Sequence, residues 1–128
     1  MKTSKYIKYI EKSDTLLAEA VQDLKCGCYN KAISASWFAI ETLLRGLILS
    51  LNRPMVERSG RLIGQIQRIL HDNFPELISI IPKVHSIYEK RKRADHREIK
   101  YNKIEAQKTI KVTRIIITKL KKILKGPT

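Results

Sequence analysis

Apolar residues recur every three or four positions along almost the whole chain, and no sustained apolar/polar alternation stands between turn signals. This pattern predicts an all-α fold, an up-and-down bundle of four to five helices joined by short turns. A first helix over about residues 4–25 places Tyr6, Ile10, Leu17, Ala20 and Leu24 on one face, with Lys8, Lys12, Glu19 and Asp23 elsewhere. Gly27 ends it, because glycine accepts the left-handed conformation of a helix terminus. The second helix, about 29–51, is apolar nearly all round: Ala32, Ile33, Ala35, Trp37, Phe38, Ala39, Ile40, Leu43, Leu44, Leu47, Ile48 and Leu51. Such a helix belongs at the centre of a bundle, or serves a core and a subunit interface together. Asn52-Arg53-Pro54 stops it, since a residue before proline avoids the α region.

Ser59 is the expected N-cap of a third helix, about 60–71, with Leu62, Ile63, Ile66, Ile69 and Leu70 inward. Asp72-Asn73-Phe74-Pro75 reads as a turn. A fourth segment, about 76–93, contains Pro82, which either kinks it or opens a new helix. The fifth, about 102–124, has Ala106, Ile110, Thr113, Ile117, Leu120 and Leu124 at alternating spacings of four and three. No internal repeat or low-complexity stretch divides the 128 residues, so one domain over 1–128 is expected.

Charge changes the picture from fold to partner. Residues 83–128 carry 15 basic and 4 acidic side chains, which is +11 of the net +14. That asymmetry points to a polyanion, with RNA or another phosphate ligand first, although a solvated basic helix face is the simpler alternative. Cys26 and Cys28 have no second cysteine pair or histidine cluster nearby, which excludes a zinc site. They read as small residues at a turn in a reducing compartment. The first ten residues lack the apolar run of a signal peptide, and the most apolar stretch, 37–51, contains Glu41 and Arg45. A cytoplasmic location without membrane association is expected. A Gly-rich phosphate loop, a nucleophile-base-acid triad and a helix-turn-helix spacing are absent from the sequence, and no cofactor or metal is expected.

Candidate chemistry concentrates in Lys90-Arg91-Lys92-Arg93-Ala94-Asp95-His96-Arg97-Glu98. Cleaving RNA without metal requires a proton taken from the 2′-hydroxyl, charge stabilised on the phosphorane, and a proton given to the 5′-oxygen. Histidine, with a reference pKa of about 6.5, exchanges protons near neutrality. Arginine supplies a planar, permanently charged donor fork for phosphate oxygens. Arg91 and His96 are the expected catalytic pair. Five residues along a helix turn through about 500°, which leaves the two side chains about 140° apart. The helix must therefore end or unwind between them if both are to meet one phosphate, unless two chains share a site. Lys92, Arg93, Arg97, Glu41, Arg45 and Tyr88 are the expected ligand-binding residues. Glu41 and Arg45, four apart, read either as a salt bridge or as part of a polar cleft with Ser34 or Ser36 facing Arg91. Tyr88 could stack on a base or belong to the core. His71 and His85 have no companion ligands and read as structural.

Gly27-Cys28-Tyr29-Asn30-Lys31-Ala32, then Ser36-Trp37-Phe38-Ala39-Ile40-Glu41 and Leu44-Arg45-Gly46-Leu47, resemble the N-terminal half of a HEPN domain. Tyr88 to His96 resembles the tyrosine-arginine segment that closes that family's fourth helix. The resemblance covers nearly the whole chain. It implies a bundle of four or five helices, usually homodimeric, that binds nucleotides or RNA. Many members are metal-independent endoribonucleases carrying Arg, four to six residues, then His, often as toxins paired with a nucleotidyltransferase-like antitoxin. Here Lys92 replaces the small polar residue frequent in nuclease members. A sister branch carries Arg-x-x-Ala-Asp-Tyr, so His96 is either the motif histidine or occupies that tyrosine position. Besides a toxin nuclease, a catalytically silent module partnering a nucleotidyltransferase and a structural helical adaptor remain open.

Overall fold

The computed structural model describes residues 2–96 and 98–125, with side chains from Tyr6 onward. Five α-helices form it: α1 (Lys2–Lys25), α2 (Tyr29–Ser50), α3 (Ser59–Asn73), α4 (Ile81–Ala94) and α5 (Lys103–Lys125), with a 3₁₀ turn (Pro75–Ile80) before α4. No strand occurs among the described residues. The centre is α2, which buries twelve residues including Trp37, Leu43, Leu44 and Leu47 and packs against each of the other four helices. The apolar faces of α3 and α5 are buried position for position as the periodicity predicts. Phe38 departs from the pattern: it is 37% exposed on a helix read as apolar all round.

Glycine sets the geometry of the α1–α2 hairpin at two points. Gly27 has φ +77°, Cys28 N–H donates to Asp23 O (2.8 Å), and Gly27 N–H donates to Leu24 O (3.1 Å). This paired Schellman closure satisfies the last carbonyls of α1 and turns the chain within three residues. Gly46 lets the helices approach closely, because a Cβ there would stand 3.1 Å from the Cβ of Tyr9. Ser13, buried on α1, donates its hydroxyl to Ala39 O of α2 at 2.8 Å, which satisfies a polar group inside the seam. Lys121 on α5 pairs with Asp14 on α1 and closes the other side.

Two local expectations need correction. Helix α3 starts at Ser59 itself, and Arg58 occupies the N-cap position with extended backbone and no side-chain cap. The hydroxyl of Ser59 is donated to the Glu41 carboxylate at 2.5 Å, a charge-assisted bond stronger than a neutral cap. The expected turn at 72–75 is still helical through Asn73, whose side chain donates to Ile69 O (3.2 Å). Pro82 opens α4 rather than kinking a longer helix. Helix α2 has the length and hydropathy of a membrane span, but 67% of that window is buried in the bundle. Cys26 and Cys28 are free thiols at the α1–α2 turn.

The same substitution should act with opposite sign at two glycines. Gly27→Ala is expected to cost about 1 kcal/mol, because nothing within 4 Å opposes the methyl and only the positive φ does. Gly64→Ala, exposed within α3 with open space around it, is expected to stabilise by up to about 1 kcal/mol. Thermal melts should separate the two proteins by several degrees; equal midpoints would contradict this account of the turn.

Candidate functional site

Helix α2 ends in a second left-handed cap, with Asn52 at φ 55° and Arg53 N–H donating to Ile48 O (3.2 Å). Asparagine tolerates this conformation because its short polar side chain relieves the usual penalty. The segment that follows is held by α2 itself. Arg45 donates from Nη1 to Val56 O (2.6 Å) and from Nη2 to Glu57 O (2.9 Å), and it pairs with Glu41 at 3.1 Å. Glu41 also receives the Ser59 hydroxyl. The structure therefore commits Glu41 and Arg45, both sequence-predicted ligand contacts, to fastening the α2–α3 loop and the start of α3. Ser36 bonds Ala32 O within its own helix, whereas Ser34 lies in a separate groove.

The fastened loop forms one wall of a cavity of about 570 Å³, whose lining is Glu57, Arg58, Ser59, Gly60, Arg61, Tyr88 and Arg91. Three arginines stand there against one glutamate. The first N–H groups of α3 lack intrahelical acceptors, since the ladder opens with Leu62 N–H to Arg58 O (3.0 Å). An anion entering the cavity meets arginine forks and the positive end of a helix together. Arg91 is set by two contacts: Nη1 pairs with Asp95 at 3.0 Å, and the guanidinium lies 5.2 Å from the centroid of the Phe38 ring. The exposure of Phe38 thus has a local reason, as the ring is the platform for Arg91. The Nε of Arg91 is buried with no hydrogen-bond partner. Tyr88 packs on Trp37 with centroids 5.0 Å apart, so it joins the core by its ring and reaches the cavity as well. Lys92 lies over the Tyr88 ring at 4.7 Å and pairs with Glu89 at 3.0 Å. The hydrogen bond from Lys92 holds the half-buried Glu89 carboxyl below its ordinary pKa.

Helix α4 ends between Arg91 and His96, as the spacing demands if the two are to share a phosphate. Ala94 is its last residue, and His96 N–H closes a tight turn onto Arg93 O (3.0 Å). The linker beyond is clamped by Asn30 in the first turn of α2. Its Nδ2 donates to Ala94 O (3.0 Å) and Ile99 O (2.8 Å), while its Oδ1 accepts from Tyr101 N–H (2.9 Å). The His96 ring is exposed and makes no hydrogen bond among the described residues. It lies outside the lining of the Arg91 cavity and of a neighbouring groove of about 320 Å³ that Asn30, Ser34, Phe38 and Asp95 share. Arg93 is exposed, and Arg97 lies outside the described residues. His71 and His85 stand beside Asp72 (3.1 Å) and Glu89 (3.8 Å).

A family model for the HEPN domain matches residues 6–123. The chain belongs to the HEPN family. Among solved structures, this HEPN chain is similar to TT1696 from Thermus thermophilus, with a TM-score of 0.67 and 20% identity over 94% of this chain and 98% of that one. At that identity the likeness is one of fold. No curated protein matches the chain. Membership of the HEPN family supports a nucleotide- or RNA-related function in general.

Asn30 was not singled out by the sequence patterns, and its role yields a prediction. Asn30→Ala removes three bonds from a partly buried clamp and should cost about 2–3 kcal/mol. Amide hydrogen exchange over 95–101 should accelerate while the α2 core stays protected. Unchanged exchange in that linker would refute the clamp.

Proposed function

We propose that this HEPN-domain protein binds RNA or nucleotides by phosphate at the Arg91 cavity and acts as a metal-independent endoribonuclease using Arg91 and His96. The observation that carries the reading is the convergence of Arg58, Arg61 and Arg91 at the N-terminus of α3, with a buried, unpartnered arginine Nε and a tyrosine ring beside it. Such a site offers a phosphate several charge-assisted donors and offers a base a π-face.

In the reaction, the RNA 2′-oxygen attacks phosphorus as its proton leaves, and the 5′-oxygen departs with a proton. The products are a 2′,3′-cyclic phosphate and a 5′-hydroxyl. Arg91 stabilises the added charge on the phosphorane, and His96 moves a proton at the 2′- or 5′-oxygen. His96 is suited to this by its free ring and by a linker that Asn30 ties at both ends. It stands outside the Arg91 cavity of its own chain. A homodimer in which each site takes Arg91 from one chain and His96 from its partner supplies the missing proximity, and the resemblance to dimeric members supports that arrangement. On the same resemblance, the protein acts in the cytoplasm as one half of a toxin pair with a nucleotidyltransferase-like antitoxin.

The separation of His96 from the cavity, and the Asp95 carboxylate already paired with Arg91, favour a second reading. In it the module binds RNA or nucleotide without cleaving and serves a nucleotidyltransferase partner.

Digestion of RNA in chelator, with wild type, His96→Ala and Arg91→Ala side by side, separates the two. Wild type should leave 2′,3′-cyclic phosphate ends. His96→Ala should lose about 10²–10⁴ in rate while retaining RNA binding, and Arg91→Ala should lose both. RNA retention by wild type with no cleavage would sink the nuclease reading and leave the silent module.

A further inference from the structure

The basic excess of the C-terminal third is not spent at the Arg91 cavity, to which residues beyond 82 contribute only Tyr88 and Arg91. On another flank of α4, a groove of about 360 Å³ runs between α4 and α5. Its walls carry Lys83, Lys90 and Lys108, with Ser86 beside them and Ile87 and Val112 as an apolar floor. The lining holds no carboxylate. Lys90 pairs with Glu105 at 3.3 Å, while Lys83 and Lys108 are exposed and make no ion pair among the described residues.

The helical wheel of α4 relates the two places. At 100° per residue, Lys83, Ser86, Ile87 and Lys90 fall on one flank, and Tyr88 and Arg91 fall about 120° away across the buried stripe. The solvent-facing ridge between them carries Lys92 and Arg93, together with His85 and Glu89. A single strand leaving the Arg91 cavity over this ridge passes Lys92 and Arg93, with Glu89 between them paired to Lys92, before it reaches the groove.

We infer that the α4–α5 groove is a second binding track, for the phosphate backbone of single-stranded RNA whose reacting phosphate sits at Arg91. This rests on the phosphate reading of the Arg91 cavity. Lysines present mobile point charges and no base-reading fork, so the track is indifferent to sequence. The apolar floor suits a base or ribose lying between phosphates. Concavity favours a strand over an anionic membrane, because a planar headgroup surface cannot follow a groove between two helices.

The test compares wild type with the double variant Lys83→Gln/Lys108→Gln, both exposed positions outside the Arg91 cavity. Binding of a mononucleotide and of a single-stranded RNA of about twelve nucleotides is measured across a salt series. Two lost contacts should weaken the RNA about tenfold at 0.15 M salt and flatten its log-log salt slope by about 1.4, while mononucleotide affinity stays unchanged. If the variant keeps wild-type RNA affinity and slope, the track is refuted and the Arg91 reading stands. Wild type that binds neither ligand at low salt refutes both, as does retention on phosphatidylserine vesicles with no RNA binding.

Discussion

Helix α2 is buried along most of its circumference, and that burial governs where the polar chemistry of the molecule can go. A helix whose apolar residues are consumed by α1, α3, α4 and α5 has few positions for polar side chains, and each one present must find a partner. Asn30 at its start and Arg45 in its middle reach the connecting segments and the helix ends beside them, and Glu41 pairs with Arg45 and with Ser59 at the start of α3. The core thereby fixes two loops that would otherwise be defined only by their ends. One forms a wall of the Arg91 cavity, and the other carries His96.

The site accordingly combines rigid and tethered parts. Tyr88 is wedged against Trp37, so the α4 flank of the cavity is as fixed as the core. The facing wall depends on hydrogen bonds to carbonyls of Val56 and Glu57, which hold backbone position without restricting the side chains of Arg58 and Arg61. An arginine pair on a fixed backbone with free side chains can adjust to phosphates in more than one arrangement. Rigid placement of Arg91 and adaptable placement of its companions are both useful for a ligand whose charge is spread over several oxygens.

The sequence carried most of the architecture because periodicity reports burial directly. All five predicted inward positions of α3 and all six of α5 are buried. What it could not report were contacts between residues far apart. Ser59 has the composition of an N-cap, but its hydroxyl is claimed by Glu41, eighteen residues away. Asn30 reads locally as one polar residue at the start of an apolar helix, while its partners lie 64 to 71 residues downstream. Phe38 fits the apolar pattern of α2, and that pattern does not report its exposure or its contact with Arg91. Arg91 and His96 were visible as a motif. That they occupy different surroundings within one chain follows from where α4 stops, and periodicity locates a helix end less well than a helix face.

The pairing of Arg91 with Asp95 has a consequence for selectivity. The arginine is not an empty receptor, because a resident carboxylate already holds one edge of its fork. An incoming anion must exchange with that carboxylate, so its apparent affinity is the difference between two ion pairs rather than the strength of one. A singly charged carboxylate gains little by such an exchange. An anion that can also use the arginines opposite and the end of α3 gains several contacts for the one displaced. At the phosphate site proposed above, Asp95 would thus act as a threshold that favours polyvalent anions over simple ones.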